Sequence, residues 1–229
     1  MQINKLLTTV NYRKATNKQN KYIVMHYVGA TGSAENNCKY FQNTYRGASA
    51  HYFVGHAGDV WQCVEDQHIA WHCGASKYKH PYCRNENSIG IELCCRKKAD
   101  GTWYFEEATV KAAQELVKEL MAKHNIPVAN VIRHYDVTGK TCPEPYVRDT
   151  AAWNTFKASL TTTPAPIASG YLVKVTADVL NVRKGAGTGY KITTQVKKGE
   201  VYTIVQEYNG WGKLKSGAGW ISLNYTKRV

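Results

Sequence analysis

A segment rich in proline and hydroxyl residues divides the 229-residue chain into two unlike parts. Residues 161–170 contain two prolines and four hydroxyl side chains without apolar periodicity, a composition typical of an extended linker. A chain of this length also exceeds the usual size of one domain. We therefore expect one domain over residues 1–160, a linker over 161–170 and a second domain over 171–229.

The first part carries both strand and helix patterns, which predicts an α/β domain. Apolar residues recur at spacings of three and four between residues 106 and 124, as in an amphipathic helix. The strand that follows ends just before His134, and the carboxyl ends of such strands usually hold the chemistry of α/β proteins. The predicted strands are 22–28, 51–54, 59–64, 88–93 and 128–133, and the predicted helices are 34–45 and 106–124.

The second part has a different pattern. Short alternating runs of apolar and polar residues, separated by glycines, predict a small all-β barrel. The predicted strands are 171–175, 180–183, 193–196, 201–205, 212–214 and 219–221.

Three side chains of the first part suit a metal ion. His134 and Cys142 follow the predicted strand 128–133, and His26 lies inside the predicted strand 22–28. Two imidazoles and one thiolate are typical zinc ligands, and three protein ligands leave the fourth tetrahedral position open to water, as catalysis requires. We expect one Zn²⁺ at this set, although spacing alone also allows His26 to be a packed core residue.

The remaining cysteines and the hydropathy indicate the compartment. The chain has seven cysteines, an odd number, and no two lie three apart, which excludes zinc-ribbon and thioredoxin-type motifs. Residues 1–10 lack the roughly 7–15 apolar residues of a secretory signal, and no apolar run approaches the roughly 18 residues of a membrane span. We expect a cytoplasmic, non-membrane protein whose thiols are reduced, with disulfides as the less favoured alternative.

Five motifs, in order along the chain, resemble one enzyme family. They are Val24-Met-His-Tyr, Ser49-Ala-His-Tyr-Phe-Val, Ala70-Trp-His, Asn87-Ser-Ile-Gly-Ile-Glu, and Arg133-His-Tyr-Asp followed by Gly139-Lys-Thr-Cys-Pro. This set resembles the zinc-dependent N-acetylmuramoyl-L-alanine amidases (amidase type 2), whose fold is shared with the peptidoglycan recognition proteins, over roughly residues 20–155. The resemblance implies a mixed central sheet flanked by helices, and a zinc-floored groove that receives peptidoglycan.

The resemblance also implies residue roles. His26, His134 and Cys142 match the metal ligands of the family. Glu92 matches the carboxylate that takes a proton from water and passes it to the leaving amine, and Lys140 matches a lysine that stabilises the oxyanion. The implied reaction is hydrolysis of the amide bond between N-acetylmuramic acid and the L-alanine of the stem peptide.

Other motif residues have less definite roles. Trp71 and His72 are expected to line the groove and contact the stem peptide, although Trp71 is as well explained as a core aromatic. Some branches of the family have a tyrosine where this chain has His51, so proton transfer is assigned here to Glu92, and His51 either assists or packs.

The second part resembles a bacterial SH3 domain. The resemblance rests on Leu180-Asn-Val-Arg-Lys-Gly, on the Tyr208-Asn-Gly-Trp-Gly-Lys-Leu stretch and on Gly219-Trp-Ile. Such domains commonly bind cell walls, and tethering to a polymer raises the local concentration of a catalytic domain at its bond. The whole chain thus resembles phage endolysins, which wait in the cytoplasm until they are released to the wall, and a bacterial autolysin is the alternative.

Charge agrees with a polyanionic partner. The net charge is +13, and residues 161–229 carry ten basic and three acidic side chains. The sequence has no recognised nucleic-acid motif, so we expect the bacterial wall, with its anionic polymers and peptide carboxylates, to be the partner. A surface charged only for solubility explains the same numbers.

Three other classes of protein remain open from the residues. Cys142 has histidines nearby and is a candidate nucleophile of a cysteine-dependent amidase or wall peptidase. A serine hydrolase has less support, because Gly-x-Ser-x-Gly is absent from the sequence. A non-hydrolytic peptidoglycan-binding protein would have no need of all three ligands together with Glu92.

Overall fold

The computed structural model describes residues 1–161, 166–208 and 210–229. The chain divides into two compact units, Gln2–Thr161 and Thr162–Val229. Among the described residues, no helix combines the length and apolarity that a bilayer crossing needs.

The first unit mixes strands and helices. In chain order its elements are β1 (Asn4–Lys5), β2 (Tyr12–Arg13), β3 (Tyr22–Tyr27), α1 (Ala34–Gln42), β4 (Tyr52–Val54), β5 (Val60–Gln62), β6 (Ile69–Ala70), β7 (Ser88–Leu93), β8 (Arg96–Lys97), β9 (Trp103–Tyr104), α2 (Glu107–His124), β10 (Val131–Arg133), α3 (His134–Thr138), α4 (Glu144–Arg148) and α5 (Thr150–Thr161).

A mixed sheet forms the centre of this unit. Within the described residues its strand order is β1-β5-β4-β7-β3-β10. Only the hairpin β4–β5 is antiparallel among these neighbours; the other pairs are parallel. Strands β3 and β7 pair in register over six residues, and both are apolar runs because a central strand is buried on both faces.

Helices cover both faces of the sheet. Phe53 in β4 packs with Ala34 and Cys38 of α1. Tyr52, its neighbour in β4, faces the opposite side and donates a hydrogen bond to Asp66, which also accepts from His124 at the end of α2. Since neighbouring residues of a strand point to opposite faces, α1 and α2 lie on opposite sides of the sheet. This confirms the predicted mixed sheet flanked by helices.

Local sequence signals set the start of α1 and the end of α2. The Ser33 side chain accepts a hydrogen bond from the backbone of Asn36 and caps α1. Helix α2 ends where Asn125 adopts a left-handed conformation with φ of 54°, which satisfies a terminal carbonyl of the helix. Pro127 then prevents its continuation.

The second unit is all β. Its strands are β11 (Pro166–Val175), β12 (Val179–Arg183), β13 (Ile192–Lys197), β14 (Val201–Tyr208), β15 (Trp211–Leu214), β16 (Trp220–Ser222) and β17 (Thr226–Arg228). In the described residues they form one antiparallel sheet in the order β13-β12-β16-β15-β14-β11-β17. It packs around one apolar cluster of Val173, Val175, Leu180, Val182, Val196, Ile204, Leu214 and Ile221. The predicted all-β second part is confirmed.

Most predicted elements are present with small changes at their ends. Strand 88–93 has the predicted bounds, while helix 34–45 ends at Gln42. The predicted strand 128–133 is shorter, because residues 128–130 form a 3-10 turn after Pro127.

The predicted linker needs a correction. Thr161 ends α5, and strand β11 already begins at Pro166. Residues 166–170 are strand because β11 pairs with β14, with Pro166 opposite Gln206, a long-range partner that the local composition does not reveal. Residues 162–165 of the predicted linker lie outside the described residues.

Candidate metal centre

Strand register brings the first candidate residues together. His26 in β3 lies directly beside Glu92 in β7. On the other side of β3, Arg133 in β10 pairs with Met25, so the following residue, His134, comes level with His26. Because paired residues of adjacent strands point to the same face, the sheet itself places two imidazoles and a carboxylate side by side.

The chain returns to the same point after α3. Gly139 has a φ of 86° at the end of this helix, a conformation that favours glycine. The backbone N–H of Tyr135 donates to the carbonyl oxygen of Cys142 at 2.8 Å, which holds residues 140–142 against the start of α3. Cys142 therefore lies beside the two histidines.

The three donor atoms have the spacing of a zinc site. One donor atom each from His26, His134 and Cys142 lies within 4.8 Å of the other two, and all three residues are buried. The Nδ1 atom of His26 is 3.7 Å from Sγ of Cys142. Tetrahedral zinc bonds of about 2.0–2.1 Å to nitrogen and 2.3 Å to sulfur would separate such atoms by about 3.6 Å. The donor set and its geometry fit one zinc ion.

The protonation states also suit a metal. Burial, with the neighbouring imidazole of His134, holds the pKa of His26 well below its usual value. Burial lowers the pKa of His134 to about 4. Both imidazoles are therefore neutral at pH 7, as metal binding requires.

The thiol of Cys142 is not activated by its surroundings. Burial, with the nearby carboxylate of Glu92, raises the pKa of Cys142 to about 12. At neutral pH the sulfur stays protonated unless a cation displaces the proton. Since the thiolate is the nucleophilic form, this environment suits a metal ligand better than a catalytic nucleophile.

Glu92 has the features of an acid–base group. Its Oε2 atom is buried and has no hydrogen-bond partner among the described residues. Burial raises the pKa of Glu92 to about 7, and the positive charge of Lys140 opposes this shift. A carboxyl group with a pKa near the working pH can both accept and return a proton.

A cleft of about 290 Å³ opens over these groups. The three candidate ligands, Glu92, Lys140, Trp71 and His72 all line it. The cleft is also lined by residues that the sequence analysis did not select, namely Tyr27, Val28, Gly29, Phe41, Ala48, Ser49 and Phe53. Of these, Tyr27, Ser49 and Phe53 lie within the five motifs, and that proximity was the available signal.

The two motif histidines outside the ligand set are held by the protein. The ring nitrogens of His72 lie 3.0 Å from Nε2 of His26 and 3.1 Å from Oγ of Ser88. His51 is fully buried, and its Nδ1 accepts from the backbone N–H of Gly90. Its Nε2 lies 2.9 Å from Nζ of Lys18. His51 does not line the cleft.

All seven cysteines lie in the described residues and carry free, buried thiols. Of these, Cys142 lies beside His26 and His134 in the candidate metal centre.

Two sequence relatives are named as N-acetylmuramoyl-L-alanine amidases. A probable N-acetylmuramoyl-L-alanine amidase of Bacillus licheniformis is 37% identical over 148 residues, which cover 60% of this chain and 40% of that protein. The N-acetylmuramoyl-L-alanine amidase CwlL of the same organism is 33% identical over 180 residues, covering 73% of this chain and 47% of that protein. The chain thus spans less than half the length of these two relatives.

Solved structures and family models agree. A mutant endolysin from Bacillus subtilis has a TM-score of 0.57 and 30% identity, over 69% of this chain and 98% of that one. Residues 178–227 match the bacterial SH3 domain. Residues 16–145, more than half of the chain and including all three candidate ligands, match the N-acetylmuramoyl-L-alanine amidase model. The chain therefore belongs to the N-acetylmuramoyl-L-alanine amidase family, as its motifs predicted.

Proposed function

We propose that this protein hydrolyses the amide bond between N-acetylmuramic acid and the L-alanine of the peptidoglycan stem peptide. The observation that carries the proposal is the convergence of His26, His134 and Cys142 within 4.8 Å, next to a buried carboxylate atom of Glu92 that has no partner among the described residues. Family membership supports the same reaction.

His26, His134 and Cys142 would hold one Zn²⁺. Bound there, the ion would supply Lewis-acid chemistry, polarising the scissile carbonyl and lowering the pKa of water. Three protein ligands would leave a further coordination position for water or substrate, since the described residues add no fourth donor to the set of His26, His134 and Cys142.

Glu92 moves the proton in this proposal. As a carboxylate it accepts a proton from the attacking water, and as a carboxylic acid it returns that proton to the nitrogen of the leaving L-alanine. Its raised pKa of about 7 makes both states accessible at neutral pH. Its place beside His26 in the sheet fixes the carboxyl group near the reacting atoms.

Lys140 stabilises negative charge in this proposal. Its side chain lines the same cleft, and its charge acts on Glu92, His134 and Cys142. A fixed cation that faces a developing oxyanion lowers the barrier, because the site needs no reorganisation at the moment of reaction. Trp71, also on the cleft, offers an aromatic face to the stem peptide.

The C-terminal unit is proposed to bind the cell wall. It matches a bacterial SH3 domain, and the ten basic and three acidic side chains of residues 161–229 favour anionic polymers. Holding the enzyme on an insoluble substrate increases the effective concentration of its bonds.

We also propose that the protein reaches the wall from the cytoplasm. The seven free thiols fit a reducing compartment, and the likeness to a solved endolysin over 69% of this chain supports an endolysin-like role.

Mass spectrometry of purified peptidoglycan digested by the protein tests the reaction. We expect intact glycan strands together with peptides that carry a new N-terminal alanine. Cleavage within the glycan or within the peptide would refute the proposal. Loss of activity with a chelator, and recovery with zinc, separates the metal mechanism from a cysteine nucleophile, which would be indifferent to both treatments.

A further inference from the structure

A chain of hydrogen bonds runs from the sheet to the candidate ligand His26. Oγ of Ser88 donates to the carbonyl oxygen of Arg84 at 2.6 Å. The same Oγ lies 3.1 Å from Nε2 of His72, and Nδ1 of His72 lies 3.0 Å from Nε2 of His26. The other ring nitrogen of His26, Nδ1, is the one that faces Cys142 at 3.7 Å.

The number of protons available to these groups fixes which of them donates in each hydrogen bond. A hydroxyl group has one proton. Ser88 donates its hydroxyl proton to the carbonyl oxygen of Arg84, at a distance of 2.6 Å. Ser88 must therefore accept from His72, so Nε2 of His72 carries the proton. In a neutral imidazole the second nitrogen is then an acceptor, and Nδ1 of His72 receives the N–H of Nε2 in His26. The lone pair of His26 is left on Nδ1, facing Cys142.

The strand is shaped to admit the ring of His72. A Cβ atom at Gly90 would lie 2.4 Å from Cγ of His72, a distance that no side chain tolerates. Ser88 and Gly90 lie on the same face of β7 because they are two residues apart. One strand face therefore supplies both the anchoring hydroxyl and the space for the ring.

These contacts leave His72 without a free ring nitrogen for a substrate. Both of its nitrogens are engaged by Ser88 and His26. The expected contact of His72, which lines the cleft, with the stem peptide would therefore involve its ring carbons. Its ring also lies edge-on to His26, with centroids 5.1 Å apart, so it restrains the orientation of that imidazole as well.

We propose that His72, anchored by Ser88, is a positioning residue that holds His26 in the tautomer and orientation in which Nδ1 binds the metal. The inference rests on the proposed zinc site and adds a residue that acts through a ligand. Outer partners of this kind typically change metal affinity about 10–100-fold when they are removed.

Two variants of matched shape test the proposal on the full chain. His72→Asn places an amide oxygen where Nδ1 was, so an acceptor for His26 remains. His72→Leu has a similar shape and no acceptor. Zinc affinity is measured by competition with a fluorescent chelator, and we expect His72→Leu to weaken binding about 10–100-fold while His72→Asn stays within about threefold of the wild type. Equal affinities in all three proteins, or equal losses in both variants, would overturn the proposal.

Nitrogen NMR of the metal-free wild-type protein provides a test that needs no variant to fold. We expect His26 to be protonated on Nε2 and His72 also on Nε2. Protonation of His26 on Nδ1 would overturn the inference. If the wild-type protein binds no zinc, the proposed function fails, and the NMR result still decides whether the hydrogen-bonded chain sets the tautomer of His26.

Discussion

Three residues on one face of β7 perform three different tasks. Ser88 anchors His72, Gly90 leaves space for its ring, and Glu92 presents its carboxyl group beside His26. The alternate residues of the same strand, Ile89 and Ile91, are fully buried. One strand can contribute side chains to both the apolar core and the candidate site because its side chains alternate between the two faces of the sheet.

Glu92→Gln tests the acid–base assignment. The amide keeps the shape of the side chain but cannot take a proton from water, so we expect turnover to fall about 10²–10⁴-fold while zinc content stays unchanged. Hydrolysis of a soluble muramyl peptide measures the rate. The matched control is Glu86→Gln, an exposed side chain paired with Arg13, which should retain full activity. A rate for Glu92→Gln equal to that of the control would remove Glu92 from the mechanism.

Asp66 is a buried anion that the sequence motifs did not reveal. Its carboxylate accepts hydrogen bonds from Tyr52, Gln62, Lys123 and His124. Burial opposes its ionisation, but the hydrogen bonds from His124, Lys123 and Tyr52 outweigh burial and hold the pKa of Asp66 well below its usual value. This one residue ties the end of α2 to the sheet.

The low pKa of Asp66 predicts a pH-dependent contribution to stability. A carboxyl group whose pKa is lower when folded stabilises the protein above its unfolded pKa of about 3.9, and loses this effect as the pH falls further. We expect Asp66→Asn to lower the free energy of unfolding by about 2–4 kcal/mol at pH 6. The difference from the wild type should narrow below about pH 4.

Urea denaturation of residues 1–161 between pH 3 and pH 6 measures this effect. Glu35→Gln, which loses an exposed pair with Lys39, is the control and should cost under about 0.5 kcal/mol. A difference for Asp66→Asn that stays constant with pH would contradict the assigned cause.

At the scale of elements, length decided what the sequence could predict. Strands β3 and β7 are long apolar runs, and α2 spans five turns of clear periodicity, so their signals were strong. Strands β1, β2, β6, β8 and β9 have two residues each, which is too few for any periodicity. They form because folding places a partner strand beside each of them.

Helix α5 is not among the predicted elements, although its sequence carries a signal. Trp153, Phe156 and Leu160 are spaced by three and four residues and are buried, as on one face of a helix. The candidate ligand set was predictable because its motifs are local in sequence. The contacts of His72 with Ser88 and of Asp66 with α2 were not, because each depends on residues brought together by the fold.

Phe156→Ala tests the packing of α5. Phe156 is 1% exposed and its ring stacks on Trp153 at a centroid distance of 5.7 Å. Truncation of a buried phenylalanine leaves a cavity, so we expect a loss of about 3–5 kcal/mol in the free energy of unfolding. Urea denaturation checks this, with the exposed neighbour Asn154→Ala as control. A loss below about 1 kcal/mol would mean that α5 is not part of the core.

For the whole molecule, the two units have separable tasks in the proposed function. The first contains the cleft and all three candidate ligands. Helix α5 ends at Thr161, so a truncation after this residue leaves each element of the first unit intact. The second unit has its own apolar cluster.

Deleting residues 162–229 should therefore spare hydrolysis of soluble fragments and weaken lysis of whole walls. The expected cause is the loss of tethering, which lowers the effective concentration of enzyme on the polymer about 10²–10⁴-fold. Turbidity of cell-wall suspensions and release of alanine amino groups from soluble muramyl peptides measure the two activities. Equal lysis by the full and truncated proteins would rule out a targeting role for the second unit.

The metal centre is the central claim, and X-ray absorption at the zinc edge tests it most directly. For the zinc-loaded full-length protein we predict one sulfur neighbour at about 2.3 Å and three nitrogen or oxygen neighbours at about 2.0–2.1 Å. The sulfur signal should disappear in Cys142→Ser. A zinc ion with no sulfur neighbour, or with more than one, would contradict a site built from His26, His134 and Cys142.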